Sequence, residues 1–272
     1  GATEIIYNFC QAFLSKKTPV LIPIPTFGEY EAAAKLVSAK VSFFKTMNLT
    51  KDVDDFISKF SINGCIFICN PNNPTGNLIQ KKTLHKIITS AHKKNTLVFV
   101  DECFIELVPD HDESIIKFIS KYNNLFVLRS LTKSFALAGL RIGYGLGSKQ
   151  MISILTKIKI PWNVSGLAQQ AASTAIMNPF YLDKVKKIIK KESNYLVDSI
   201  SKLKSLQCSA TKTNFILIKT KMKSKTLQKK LLKKKILIRD CSTFRGLNNN
   251  YIRIAVKTRK ENRKLIKAFE KL

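Results

Sequence analysis

With 272 residues, 45% of them hydrophobic, the chain is long enough to bury a sizeable core in one large domain or two modest ones. No apolar run approaches the roughly 18 residues of a membrane span, and the start Gly1-Ala2-Thr3-Glu4 lacks the basic opening of a signal peptide, so a cytoplasmic protein with no membrane partner is expected. The net charge of +29 admits nucleic acid, an anionic surface or a phosphorylated substrate; without an RGG tract, zinc-finger spacing or an aromatic-basic RNP pattern, nucleic acid is the weakest of the three.

A helical pattern opens the chain and runs to about Leu14, with Thr3 as its expected cap. Its first turn presents free backbone N–H groups, which suit an anion. Residues 20–25 read as a strand closed by prolines, followed by Thr26-Phe27-Gly28-Glu29 and a helix over 30–38. A short strand at 41–44 and a helix at 52–60 come next. Cys65–Cys69 is an unbroken apolar strand that runs into Asn70-Pro71-Asn72-Asn73-Pro74-Thr75-Gly76. Proline fixes φ in that loop, while Asn and Gly supply turn geometry. A helix over 80–94 precedes a buried strand at 97–100, which ends at Asp101-Glu102. His85 and His92 lie seven apart on that helix and read as an exposed face. The three histidines and six cysteines form no ligand constellation and no CxxC pair, so no metal is expected and the thiols read as buried and reduced.

Leu125-Phe126-Val127-Leu128 is a further buried strand, followed by Ser130-Leu131-Thr132-Lys133-Ser134 and, after small residues, Arg141. A lysine just past a strand end, among hydroxyls and near an arginine, suits a Schiff base beside a phosphate. Taken alone, the stretch fits a surface Lys and Arg flanking a loop equally well. The strands so far are continuous apolar runs alternating with helices, the pattern of a parallel sheet covered on both faces. Ligands of such sheets collect at the carboxyl ends of the strands. Asn73, Asp101 and Lys133 all fall there.

Gly143-Tyr144-Gly145-Leu146-Gly147 lacks the strand-turn-helix order of a dinucleotide fingerprint and is set aside. A helix over Lys149–Ile158 leads to a loop with the only tryptophan, Trp162, expected as core filler or pocket wall. Helical periodicity runs with breaks from 166 to 206, its charged later half reading as a connector. A smaller α+β unit follows: strands at 214–218, 236–239 and 251–256, with helices at 225–234 and 259–272. Arg253 shares a strand face with Tyr251 and Ala255, opposite Ile252, Ile254 and Val256, and needs an anion or solvent. The expected division is a large domain over 1–178, a connecting helix over 179–205 and a small domain over 206–272.

Asn73-Pro74-Thr75-Gly76, Asp101-Glu102-Cys103-Phe104, Ser130-Leu131-Thr132-Lys133 and Arg141, in this order and spacing, resemble the class I and II aminotransferases across essentially the whole chain. The resemblance implies an α/β fold of the fold-type I kind. A mostly parallel central sheet carries helices on both faces, with a small C-terminal α+β domain beside it. It implies pyridoxal 5'-phosphate as cofactor, with Lys133 as Schiff-base lysine and proton shuttle and Asp101 paired with the pyridine nitrogen. Asn73 would bond the ring's phenolate oxygen and Phe27 would stack on its face. Phe104 stands where most aminotransferases have a tyrosine. The cofactor phosphate falls to Ala2, Thr3, Ser130, Thr132 and Arg141, and the substrate to Asn73, Arg239 and Arg253. A homodimer with shared sites is implied, as is a family segment before the position of Gly1. The chain is most similar to the branch acting on small phosphorylated amino acids, the threonine-phosphate decarboxylases of cobalamin synthesis and the histidinol-phosphate aminotransferases. Phe104, the Pro161-Trp162-Asn163-Val164 loop and Ile238-Arg239-Asp240-Cys241 with Phe244, Gly246 and Leu247 favour the decarboxylases; transamination is the runner-up. A basic nucleic-acid-binding relative is the non-enzyme alternative.

Overall fold

The computed structural model describes residues 1–108 and 113–272. Six strands form the main sheet: β1 (Pro19–Ile24), β2 (Lys40–Lys45), β3 (Cys65–Cys69), β4 (Leu97–Asp101), β5 (Leu125–Ser130) and β6 (Gly143–Leu146). Their order is β2-β1-β3-β4-β5-β6, parallel throughout except for antiparallel β6. The order reverses between β1 and β3, which opens a crevice at their carboxyl ends.

Side chains alternate across each strand. Phe67, Phe99 and Phe126 therefore share one face, where Phe9 of α1 (Ala2–Phe13) meets their rings at 6.1, 4.8 and 5.2 Å. Helix α2 (Glu29–Leu36) and α6 (Lys149–Ile158) cover the same side. Ile66, Ile68, Val98 and Val100 point the other way, onto α3 (Val53–Ser58) and α4 (Lys81–Lys93). Both faces are dry, which is why these strands read as unbroken apolar runs.

Helix α5 (Leu131–Ser134) follows β5, and α7 (Gly166–Ile176) precedes the long α8 (Pro179–Ser201). The small sheet holds β7 (Leu206–Cys208), β8 (Phe215–Thr220), β9 (Arg239–Asp240) and β10 (Tyr251–Ala255) in the antiparallel order β7-β8-β10-β9. It packs on α9 (Ser224–Lys233), α10 (Arg259–Glu270) and the end of α8. Val185 and Ile189 of α8 lie on the main core, while Leu196 and Ile200 lie in the small one. One rod, 23 residues and so ~34 Å long, ties the two cores together. Ile252 and Ile254 face the small core, and Arg253 faces away from it.

Several expectations need correction. Gly1, not Thr3, caps α1; a Cβ at Gly1 would stand 3.1 Å from the Arg141 carbonyl oxygen, so close approach selects glycine there. The glycine-rich run at 143 is a strand. A Cβ on Gly143 would lie 2.7 Å from the Arg129 carbonyl and one on Gly145 2.3 Å from the Phe126 ring, so packing overrides poor strand propensity. The strand expected at 236–239 shrinks to Arg239–Asp240, and the edge strand β7, Leu206-Gln207-Cys208, is too short for its alternation to have announced it. Trp162 is no core residue: its loop turns through a positive φ of 56° and leaves the side chain 95% exposed. His85 is half-buried, stacked on Phe118 at 4.7 Å and hydrogen-bonded to the Tyr122 hydroxyl at 2.9 Å. All six cysteines are free, and all but Cys208 are buried. Among the described residues, no helix is long and apolar enough to cross a membrane, and no group of His, Cys, Asp and Glu could hold a metal ion.

Candidate active site

Strand ends build the site. Phe27 follows β1, Asn73 follows β3, Asp101 closes β4, and Ser130 closes β5 and caps α5. They line a cavity of about 650 Å³ at the carboxyl edge of the sheet. The start of α1 enters from one side with Ala2 and Thr3, and the small sheet brings Arg239 and Arg253 from the other. Phe104, Thr132, Lys133 and Arg141 complete the wall, so every residue assigned to the cofactor or the substrate reaches this one cavity, while Trp162 does not. A second hollow of about 640 Å³ adjoins it and shares Phe27, Asn73, Arg239 and Arg253.

One corner is rich in donors. Helix α1 has no side-chain cap, so its first amides stay available. Beside them, the Ser130 and Thr132 hydroxyls bond each other at 2.8 Å, and the Thr132 N–H donates to Ser130 Oγ at 3.3 Å. Arg141 adopts a left-handed φ of 50° and donates from Nη1 to the Ala138 carbonyl at 3.0 Å. Amides at a helix start, two hydroxyls and a guanidinium form a cradle for a phosphate.

Across the cavity, Asp101 is buried at the end of β4. Its Oδ1 accepts the Cys103 N–H at 2.9 Å and its Oδ2 accepts the Tyr30 hydroxyl at 2.6 Å. Burial pushes this carboxyl above its ordinary value, against the bonds from Cys103 and Tyr30 and the charge of Lys133. Burial pushes the Tyr30 phenol well up too, so it stays a neutral donor. An aspartate with both oxygens anchored from behind can aim its remaining lone pairs only into the cavity.

Asn73 Oδ1 accepts from Arg253 Nη1, which leaves the amide Nδ2 as the group free to donate. The Arg253 guanidinium lies 4.9 Å over the Phe215 ring, and Phe215 meets Phe104 edge-on at 5.2 Å. Phe104 therefore braces Arg253 through Phe215. Burial pulls the Arg253 guanidinium below its ordinary value, and Arg239 adds to that effect. The two arginines stand opposite each other in the register of β9 and β10.

Residues that sequence reasoning passed over complete the site. Tyr30 holds Asp101, and Glu102, Glu106, Arg129 and Ser134 form a buried polar network behind Lys133. Tyr30 could have been noticed as a hydroxyl in the first turn of a helix three residues past Phe27. Arg129 could have been noticed as a charge ending an otherwise apolar strand.

The donor set fits pyridoxal phosphate: the cradle suits its phosphate, Asp101 its ring nitrogen, Asn73 its ring oxygen, and Phe27 a ring face. The model of the family described as aminotransferase class I and II matches residues 1–269. A histidinol-phosphate aminotransferase of Methanococcus aeolicus is 34% identical over all of this chain and 74% of its own length, and the same name recurs in Methanocaldococcus jannaschii at 31%. Among solved structures, the L-threonine-O-3-phosphate decarboxylase from Porphyromonas gingivalis superposes with a TM-score of 0.89 at 28% identity, covering 100% of this chain and 81% of that one. The histidinol-phosphate aminotransferase from Clostridium acetobutylicum gives 0.90 at 30%, with the same coverage. With residues 1–269 matched by the family's model and its fold reproduced, the chain belongs to the aminotransferase class I and II family, as a fold-type I enzyme that uses pyridoxal phosphate for transamination or decarboxylation.

Proposed function

We propose that this enzyme decarboxylates a phosphorylated amino acid, and that L-threonine O-3-phosphate is the substrate its site fits best. The observation that carries this reading is the pairing of Arg239 with Arg253, opposite each other on β9 and β10 and both facing the cavity. Threonine phosphate has two anionic ends, a carboxylate and a phosphate, and a guanidinium can grip either in a bidentate fork. Histidinol phosphate has the phosphate but no carboxylate. Its transamination is the second reading, supported by the names of the archaeal relatives.

Pyridoxal phosphate, when bound, supplies a ring that accepts the electron pair left at Cα when a bond there breaks. In this reading, Ala2, Thr3, Ser130, Thr132 and Arg141 hold its phosphate. Phe27 covers the ring, Asn73 donates to the ring oxygen, and Phe104 keeps the pocket wall apolar. Asp101 holds the ring nitrogen protonated. Lys133 holds the cofactor and moves the proton at the substrate's Cα. The large unit over 1–178 would carry the cofactor, and the small unit over 206–272, joined through 179–205, would bring the two arginines. The reading includes a homodimer: Trp162, Leu167, Met177 and Phe180 form an exposed apolar set that a second copy would cover.

The test is a substrate pair. Protein loaded with pyridoxal phosphate is incubated with threonine phosphate and assayed for carbon dioxide and 1-aminopropan-2-ol phosphate. It is incubated separately with histidinol phosphate and 2-oxoglutarate. Decarboxylation that disappears in Lys133→Ala is expected. Turnover of histidinol phosphate with none of threonine phosphate would overturn the proposal.

A further inference from the structure

We propose that the buried Glu102–Arg129–Glu106 network, acting through Ser134, is the device that positions the Lys133 amine. The proposal rests on the reading that Lys133 holds the cofactor.

Lys133 sits on α5, a helix of four residues. A single turn lacks the cooperative bonds that stabilise a longer helix, so its orientation must come from outside. On one side, Ser130 caps it through the Thr132 N–H. On the other, Ser134 Oγ donates to Glu106 Oε2 at 2.9 Å, and Glu106 Oε1 accepts from Arg129 Nη1. Arg129 Nε donates to Glu102 Oε2 at 2.9 Å, and its Nη2 donates to Ser114 Oγ at 2.9 Å. Glu102 Oε1 accepts the Ile115 N–H at 2.9 Å. The chain of contacts therefore runs from Glu102, just past β4, through Arg129 near the end of β5 and Glu106, to the residue after Lys133.

This arrangement is costly unless it does something packing cannot. Glu102 is 0% exposed, Ser134 1% and Arg129 8%. The Glu102 carboxylate and the Arg129 guanidinium are desolvated there, with Glu106 at their edge, and apolar residues of similar volume would hold the strands together as well or better. Hydrogen bonds add direction, which apolar packing lacks. They fix the Ser134 hydroxyl and with it the rotation of α5. No member of the network lines the cavity, so its effect on the site passes through Lys133's neighbour. A reacting group displaced by 1 Å can lose about 100-fold in rate, so a rigid mount for this amine has a clear use.

The test compares two ligands of the apoprotein. Pyridoxal phosphate carries an aldehyde that Lys133 can bind covalently; pyridoxamine phosphate carries an amine instead and binds without that bond. Affinities are measured by equilibrium dialysis, with melting temperature as a control for folding. In Ser134→Ala, affinity for pyridoxal phosphate falls at least tenfold while that for pyridoxamine phosphate stays within twofold, and Ser134→Thr, which keeps the hydroxyl, restores most of the loss. Glu106→Gln, read in the same way, serves if Ser134→Ala does not fold. Lys133→Ala should erase the preference for pyridoxal phosphate; if it does not, the reading of Lys133 itself fails. If Lys133→Ala erases it but Ser134→Ala weakens both ligands equally, or neither, the positioning role is overturned.

Discussion

Replacing Tyr30 by Phe should remove one hydrogen bond and little else. The ring is fully buried, stacked on Phe67 at 5.5 Å with planes 16° apart and meeting Phe27 edge-on at 5.7 Å; phenylalanine keeps those contacts. What goes is the 2.6 Å bond to Asp101 Oδ2. A bond to a charged group is worth about 1.5–3 kcal/mol. At ~2–4 °C per kcal/mol for a chain of this size, the apoprotein should melt ~3–12 °C lower. The loss should depend on pH in a definite sense. Burial already raises the Asp101 pKa above its ordinary value of 3.8, so this group's contribution to stability is fullest below that value and declines as pH rises through the raised one. The Tyr30 bond limits the rise. Without it the pKa climbs further, so wild type and variant converge at low pH and separate as pH increases. Thermal unfolding of both proteins from about pH 4 to about pH 8 reads this directly. A difference in melting temperature that is constant across that range, or absent, would refute the role given to Tyr30.

Two further substitutions test the frame. Gly145→Ala places a Cβ 2.3 Å from the Phe126 ring, which is stacked on Phe99 at 5.3 Å and cannot yield; a loss of roughly 1–3 kcal/mol is expected in chemical denaturation, and wild-type stability would count against the packing described. Glu261→Gln addresses the acid limb of stability. Bonds from the Thr258 hydroxyl, Lys257 and the Thr258 N–H hold Glu261 down at about 2, so its stabilisation is present above its ordinary 4.5 and lost as pH falls from there toward 2. The Gln variant should show a flatter decline over that window, and parallel curves would argue that the α10 capping box carries no charge effect.

The main sheet was legible because its strands are buried on both faces. Cys65–Cys69 and the run from 125 to 128 can be little else, and their loops carry Asn, Pro, Gly or a charge where the apolar run stops. The elements that were missed owe their form to neighbours. Gly143–Leu146 becomes a strand because β5 offers it a free edge and Phe126 needs the space over Gly145. Residues 236–238 carry strand-like apolar character, yet Leu237 turns out to be exposed on the rim of the cavity, and the ladder starts only at Arg239. Trp162 was read as core filler or pocket wall on residue type alone, and residue type says nothing about the loop that leaves it 95% exposed.

The site divided along a similar line. Asn73, Asp101 and Lys133 could be read because a parallel sheet gathers its strand ends, so three polar groups each following an apolar run must converge. Their supports could not be read that way. Tyr30 and Asp101 are 71 residues apart, and Ser134 and Glu106 are 28 apart; neither pair has a local signature. A physical criterion would nevertheless have flagged them. A charge or hydroxyl that the strand order buries needs a partner, and the candidates are groups on the neighbouring strands and on the helices and turns that follow them at the same edge. Once β4 and β5 are neighbours, Arg129 meets Glu102, and Glu106, four residues further along the chain, is drawn to the surplus donors of that guanidinium. Lys133 is the exception that defines the site: a lysine at the same edge that points into the cavity and not into the network. In the proposed reading, the pairing of Arg129 with Glu102 and Glu106 behind it leaves this amine to hold the cofactor.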